Sequence, residues 1–492
     1  MKKIILNPAY ILKPDDGRVL FMDKESVRSE EGDEGYSAFI HPIIAVVLNS
    51  MDGSYIQDCI KEASDILNVE TDIVYNFIEN LIGNKERYSL NYDGISYVFP
   101  KNTLILFDND KYNKREKIDV EKLIYEKLDL RIKRHFTPTD ITLMVNTICA
   151  TDCIYCYADR RVKMNCKIPF ERIKELIHES KQFNARSFNI LGGELFLYKQ
   201  WRELLSELNK NNYSPYISTK VALTDKEILD LKNIGIHDIQ ISLDTLVPSH
   251  MKDILKTKDS YLEKIKHSLI LFEQYNIPVI IHTIVNSKND NVEDIKSVYE
   301  FIKNLKNIKL WRIDLAESSL YHQNSFENFK ADYSKIEQLY NFVKEKNFPI
   351  NYDGIAPIKK EELTFKERFD NFKNRSMCSA HYSHLFIMPD GKVTSCEEFY
   401  WHPNFLLGDV IKNSLLEIWN SEKISYLYNI PQKDIPIDSL CSSCSDYEQC
   451  RSLRQVCYRD IMKSHGKDKW YYPDVKCPKL HTNDEDRIRV RI

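Results

Sequence analysis

Ten of the chain's twelve cysteines fall into groups, and the groups are spaced as ligands. Cys149, Cys153 and Cys156 stand in a CxxxCxxC run, Cys378 and Cys396 form a pair, and Cys441, Cys444, Cys450, Cys457 and Cys477 crowd the C-terminal end. Cys59 and Cys166 stand outside. In a reducing compartment, clustered cysteines in a large chain are metal ligands or catalytic groups before they are a disulfide framework. Three thiolates as close as the first group can hold three irons of a cubane iron–sulfur cluster and leave the fourth iron open. The competing reading is structural zinc, which asks for four protein ligands, and Cys166 lies ten residues beyond the third cysteine. The CxxC pair Cys441 and Cys444 also admits a zinc ribbon, with three cysteines then left over.

The elements that must position these thiols are legible in outline. A chain of 492 residues allows about three domains. Its 43% hydrophobic and 29% charged content excludes a fibrous or wholly disordered chain. A net charge of -4 recommends neither a nucleic-acid backbone nor an anionic membrane as partner. The opening MKKIILNPAY is too short an apolar run for a signal segment, so a cytoplasmic protein with no membrane partner is expected.

Residues 1–100 read as a unit of their own: strands around AYILKP and RVLFMD, three helical patterns, then a hairpin turning at Asp93-Gly94. In YIQDCIKEASDIL one apolar stripe carries Ile56, Cys59, Ile60, Ala63 and Ile66, which makes Cys59 a core residue. This layout is winged-helix-like, yet Asp58, Glu62, Asp65, Glu70, Asp72 and Glu79 occupy the region where a groove-reading helix wants Arg and Lys, so no nucleic-acid partner is expected. Residues 101–137 read as a charged linker with a helix near 119–128. From 138 to 330, strand patterns (TDITLMVNT, SFNIL, SPYIS, HDIQISL, PVIIHTI, KLWRIDLA) alternate with helical ones, as in a parallel barrel whose strand ends carry the site. Residues 331–377 bridge to a cysteine-rich segment, 378–480, and 481–492 form a charged tail.

The cysteine run, with Tyr155 before its third member, resembles the signature of the radical S-adenosylmethionine (SAM) superfamily. Gly192, Gly193 and Glu194 end the second strand and resemble that family's GGE element, whose backbone holds the amino group of SAM. Ser218 at the third strand end, with Ser242 and Asp244 at the fourth, match further cofactor-binding positions. Lys256 stands where family members place an arginine for the SAM carboxylate. The resemblance implies an α/β fold, a partial (β/α)6 barrel binding SAM beside a 4Fe–4S cluster on Cys149, Cys153 and Cys156.

From Cys378 onward the chain resembles a SPASM domain. That likeness implies two auxiliary 4Fe–4S clusters, three clusters in all: one fully ligated by Cys441, Cys444, Cys450 and Cys477, the other held by Cys378, Cys396 and Cys457 with an open iron. Glu397 matches the place of an acid that receives a proton from substrate in some SPASM-type enzymes, and is the candidate catalytic residue. His381, His384, His402 and Cys166 are read as packing or solvent-facing. The first hundred residues resemble the RiPP recognition element, which captures the leader of a ribosomally made precursor peptide by strand addition.

Together these resemblances imply a peptide maturase of the sactipeptide or ranthipeptide type. An electron from a donor such as flavodoxin or ferredoxin would enter the barrel cluster, SAM cleavage would give a 5'-deoxyadenosyl radical, and hydrogen abstraction would lead to a cysteine thioether, for which a soft thiolate at an open auxiliary iron is suited. A carbon–carbon or carbon–oxygen crosslinker, a sulfatase-maturing-type enzyme and a zinc-dependent DNA-binding regulator are the alternatives.

Overall fold

The structure, a computed structural model, describes residues 2–24, 32–33, 35–92, 94–131, 133–158, 162–321, 323–357, 364–375, 377–451 and 456–480. The chain divides into two compact units, one of residues 1–140 with 178–187 and one of residues 141–177 with 188–492.

The first unit runs β1 (Lys3–Leu6), β2 (Tyr10–Pro14), β3 (Val19–Asp23), β4 (Ser37–Ile40), α1 (Pro42–Ser50), β5 (Asp52–Tyr55), α2 (Ile56–Leu67), α3 (Thr71–Glu79), β6 (Tyr88–Tyr92), β7 (Ile95–Phe99) and β8 (Leu104–Leu106). Helix α1 is buried nearly all round, as a central helix must be, whereas α2 hides only the stripe of Cys59, Ile60, Ala63 and Ser64. Cys59 is thus core, as its periodicity implied. Tyr10, Phe21 and Tyr36 meet edge to face and anchor the antiparallel sheet β2-β3-β4. The hairpin β6–β7 forms as expected, with Gly94 at φ +73°; Asp93 and the 481–492 tail lie outside the described residues.

Residues 101–137 differ from the linker the sequence suggested. They supply β8, which closes the sheet β5-β1-β8 against β1, and the expected helix reduces to a single 3-10 turn, Val120–Leu123. Only Leu123 of that turn is buried while Ile124 is 72% exposed. A helix without an apolar face to bury gains too little to offset its nucleation cost. The segment beyond it is pinned through buried polar groups. Arg18 donates to Asp15 (2.8 Å) and to the carbonyls of Arg131 and Lys133, and the buried Lys13 ammonium donates to Thr137.

The second unit follows the expected alternation: β9 (Asp140–Met144), α4 (Phe170–Gln182), β10 (Ser187–Leu191), α5 (Trp201–Lys210), β11 (Ser218–Thr219), α6 (Asp225–Ile234), β12 (Ile239–Ser242), α7 (Pro248–Leu255), α8 (Tyr261–Gln274), β13 (Val279–Val285), α9 (Val292–Ile302), β14 (Ile308–Leu315), α10 (Tyr333–Lys344) and β15 (Ile350–Gly354). Strands β11 to β15 form one parallel sheet in chain order, its apolar runs covered by helices. Strand β11 is shorter than the pattern SPYIS promised, because Pro215 has no N–H for a ladder. Helix α7 was not foreseen, and the alternation runs past residue 330, with β15 parallel beside β14.

The remainder is α11 (Phe365–Lys373), β16 (His384–Ile387), β17 (Lys392–Thr394), β18 (Leu406–Asp409), α12 (Leu415–Trp419), α13 (Glu422–Tyr428), α14 (Tyr447–Arg451) and α15 (Tyr458–His465). The antiparallel run β16-β17-β18 joins β9 and β10 in a second sheet, ordered β10-β9-β16-β17-β18.

Candidate functional site

The three cysteines of the first group lie on the loop that leaves β9. One end of that loop is clipped to the loop after β10 by Asn146, which is wholly buried. Its Nδ2 donates to the Glu194 carbonyl (2.8 Å), its Oδ1 accepts from Glu194 N–H (3.0 Å), and its carbonyl accepts from Gly193 N–H (2.8 Å). The approach is so close that a Cβ on Gly193 would sit 2.3 Å from the Ile148 carbonyl oxygen, and one on Gly192 3.0 Å from the Asn146 oxygen. Gly193 is therefore required by contact rather than by φ, and Gly192 sits tight against the same loop. The middle of the loop hangs from the C-terminus of α7, where Leu255 and Ile254 carbonyls accept from Asp152 (2.9 Å) and Ile154 (3.0 Å) N–H groups.

Burial pushes the Cys149 thiol up to about 12, with the Cys156 and Cys153 sulfurs adding to the effect, and burial raises Cys153 and Cys156 as well. The Lys220 ammonium opposes all three shifts, so it lies within electrostatic reach of every thiol in the group, and it stands 5.5 Å over the Tyr155 ring. Three sulfurs gathered on one loop, resistant to ionising alone and beside a cation, fit a metal cluster, whose positive irons would hold them as thiolates.

The cofactor-binding candidates gather at neighbouring strand ends. Ser218 Oγ donates to Gln240 Oε1 (2.5 Å) and Gln240 Nε2 donates to Ser242 Oγ (3.0 Å), giving a polar ladder across β11 and β12. Glu194 is buried; its carboxylate accepts from Thr219 Oγ1 (2.9 Å) and from Phe196 N–H (3.2 Å), and burial raises its pKa. Asp244 is buried too, with one oxygen accepting from Tyr155 OH and the other from Ile284 N–H (2.9 Å). Lys256 sits apart from this ladder, exposed, in the left-handed position (φ +56°) that caps α7. On the same face of the parallel sheet, in register with Ser242, lie His282 and then Arg312. Both donate to Asp314, at 2.9 and 2.7 Å. Burial would raise Asp314, but the His282 hydrogen bond and the Arg312 guanidinium win and hold it at about 2.

Among the C-terminal cysteines, Cys441, Cys444, Cys450 and Cys477 line one cavity. Gln432 Nε2 braces it by donating to the carbonyls of Cys441 (3.0 Å) and Cys444 (2.9 Å). Cys378 and Cys457 lie within hydrogen-bond reach of each other, a bond that lowers the Cys378 thiol and raises that of Cys457, while burial and then the adjacent Glu397 push Cys396 up. Glu397 is itself raised, by burial and then by Glu398, and accepts from Tyr157 OH at 3.4 Å. Tyr157 follows the third cysteine of the first group, so this contact ties the two cysteine regions together. Glu398 is the more buried of the two acids and is bound by Arg459 (3.0 Å) and Lys463 (3.5 Å). Among the described residues no group of His, Cys, Asp and Glu is set to hold a single metal ion, and four cysteines instead ring a volume.

Asn146, Tyr157 and Glu398 escaped the sequence reading, which took Thr219 and Lys220 only as parts of the strand end Ser218-Thr219-Lys220. The one available signal was position: Glu398 follows Glu397, and Tyr157 follows Cys156.

Comparison with known proteins accords with this geometry. The radical SAM superfamily profile matches residues 143–302, and that of the SPASM iron–sulfur cluster-binding domain matches 378–445. The sporulation killing factor maturation protein SkfB of Bacillus subtilis is 23% identical over 301 residues, 59% of this chain and 67% of SkfB. A probable GTP 3',8-cyclase of Methanosarcina mazei is 25% identical over 271 residues, 52% of this chain and 77% of that protein. The fold of Streptococcus suis SuiB bound to precursor peptide SuiA covers 98% of this chain and 100% of that chain, with a TM-score of 0.62 at 14% identity. SuiB bound to S-adenosylmethionine matches with a TM-score of 0.62 over 97% of this chain and 100% of that chain, at 15% identity.

Proposed function

We propose that this radical SAM enzyme, with its C-terminal SPASM domain, matures a ribosomally made precursor peptide by installing an intramolecular crosslink, with a cysteine thioether as the favoured product. The observation that carries the reading is the edge position of β4 in the sheet β2-β3-β4. Among the described residues β4 pairs only with β3, in a unit that contains none of the ten grouped cysteines. A unit apart from the grouped cysteines, with an edge strand at the end of its sheet, suits capture of an extended leader by main-chain hydrogen bonds. SuiB, whose fold this chain shares, binds a precursor peptide, and SkfB is a maturation protein, which supplies the substrate class.

Cys149, Cys153 and Cys156 would hold the barrel cluster, with Gly192, Gly193, Glu194, Ser218, Ser242, Asp244 and either Lys220 or Lys256 around SAM. Cluster and SAM together supply hydrogen abstraction from an unactivated carbon. The chain's own contribution is positional. Asn146 fixes the Gly193 backbone against the cysteine loop, Asp244 holds Tyr155, and the buried Glu194, Thr219, Ser242 and Asp244 keep their part of the strand ends dry. Glu397, raised by burial, is placed beside Cys396 to take the proton that crosslinking releases. Of the two auxiliary clusters in this reading, the one on Cys378, Cys396 and Cys457 keeps a position for a substrate thiolate, and a flavodoxin- or ferredoxin-like donor supplies electrons.

The test is to incubate reconstituted enzyme, SAM and reductant with candidate precursor peptides from short open reading frames beside the gene. Loss of two hydrogens per crosslink, abolished when Cys149, Cys153 and Cys156 are changed to Ala, is expected. A product that survives replacement of every precursor cysteine by serine would move the assignment to a carbon–carbon or carbon–oxygen crosslink. An unmodified peptide with intact SAM cleavage would remove the maturase reading.

A further inference from the structure

The two groups of C-terminal cysteines sit in opposite electrostatic surroundings. Around Cys441, Cys444, Cys450 and Cys477, three different sulfurs each receive a cationic donor. Arg375 Nη2 reaches Cys450 Sγ (3.7 Å), Arg451 Nη2 reaches Cys441 Sγ (3.7 Å), and Lys479 Nζ reaches Cys444 Sγ (3.4 Å). Arg451 is 5% exposed, and the Arg375 side chain 8%. Lys373 also lines this cavity, so among the described residues four cations face two carboxylates, Asp446 and Asp474. Beside Cys378, Cys396 and Cys457 the balance reverses: Glu397, Glu398 and Asp460 face Arg459, and Lys463 on Glu398.

Reduction adds an electron to a cluster that is already anionic with its thiolates. Nearby cations and N–H···S hydrogen bonds stabilise the reduced form and raise the potential, while nearby carboxylates lower it. We propose that Arg375, Arg451 and Lys479 form a cationic collar that sets the Cys441, Cys444, Cys450 and Cys477 cluster at the higher potential of the auxiliary pair, making it the acceptor toward which the crosslinking electron runs. This rests on the two-cluster reading above. Joining a carbon radical to an S–H or other X–H group forms one bond and releases one proton and one electron. The proton goes to Glu397, and the electron passes through the Cys378 group to the collared cluster and leaves to a soluble one-electron carrier. Buried Tyr458 lies between the two groups on this route: it follows Cys457 in the chain, feels the Cys378 charge, and has its ring centre 6.0 Å from the Arg451 guanidinium.

The test is a potentiometric titration followed by electron paramagnetic resonance on reconstituted full-length protein, with the barrel cluster removed by changing Cys149, Cys153 and Cys156 to Ala. The signal lost in a Cys441→Ser/Cys444→Ser variant identifies the collared cluster. Lys479 is the variant site of choice, because its side chain is 36% exposed and its loss leaves no buried charge unpaired. In Lys479→Gln the reduced-to-oxidised ratio at the original midpoint should fall about tenfold, about 59 mV for a one-electron couple. Lys479→Arg should restore it, and the other cluster's midpoint should stay in place. An unchanged midpoint in both Lys479→Gln and Arg375→Gln, with the signal present, overturns the collar. If no signal disappears in the cysteine variant, it is the two-cluster reading that fails.

Discussion

Gly193 shows how much of the site a single missing side chain carries. A methyl group there would meet the Ile148 carbonyl at 2.3 Å, and the obstacle is backbone on both sides, so neither loop can yield locally. Gly193→Ala should therefore weaken SAM binding at least tenfold in a calorimetric titration, while iron content changes less. Retained affinity would mean that the two loops are not in contact when the cofactor binds. Glu397 tests the chemistry rather than the binding. Glu397→Gln keeps the shape but cannot take a proton, and crosslinked product should fall by about 100-fold, the lower end of what acid–base catalysis supplies, while 5'-deoxyadenosine continues to form. Parallel loss of both would place Glu397 in structure instead. At this scale the sequence was most informative where chemistry dictates spacing, as with Cys149, Cys153 and Cys156. It was least informative for Asn146, whose role arises only when loops 48 residues apart meet at Glu194.

Strand β8 changes how the first unit should be probed. Cutting the chain after residue 100 would leave β8 without β1 and expose Leu104, which is fully buried, so such a truncation should aggregate whatever the unit's role. The edge of β4 offers a cleaner experiment. Ala38→Pro, at the strand's middle, should reduce precursor affinity at least tenfold in fluorescence anisotropy and leave uncoupled SAM cleavage intact. Equal affinity would reject leader capture at this edge. The segment after β8 carries a pH dependence as well. Burial, reinforced by Lys13, Arg18, Arg186 and Arg134, holds His135 well below its ordinary value, so the folded unit keeps it neutral. The unfolded chain takes up its proton near pH 6.5, and stability is therefore full above that pH and falls below it. Proteolysis of residues 127–137 should quicken between pH 7 and 5, and His135→Gln should flatten that profile. Helix α7 carries no sequence signal beyond Lys256, the charge that stands where relatives place an arginine for SAM. Its consequence lies instead in two terminal carbonyls that hold the cysteine loop, a backbone function with no side-chain signature.

For the molecule as a whole, the alternation of strands and helices was legible because parallel strands read as apolar runs between amphipathic helices. What was not legible was the division of those strands into two sheets and the continuation to β15, since sheet order depends on pairing between segments distant in sequence. No helix among the described residues is long and apolar enough to cross a membrane. The closeness of Cys378 and Cys457, within hydrogen-bond reach of each other, gives the protein a history as well as a structure. Two thiols within hydrogen-bond reach can be oxidised to a disulfide, so before iron arrives this pair is the weak point of biogenesis. Apoprotein exposed to air should lose two hydrogens by intact mass, resist reconstitution at that site, and recover after thiol reduction, whereas protein loaded with iron first should be spared. Full reconstitution of aerated apoprotein without reductant would count against it. The order in which oxygen and iron reach the newly made chain would then decide how much of it ever becomes enzyme.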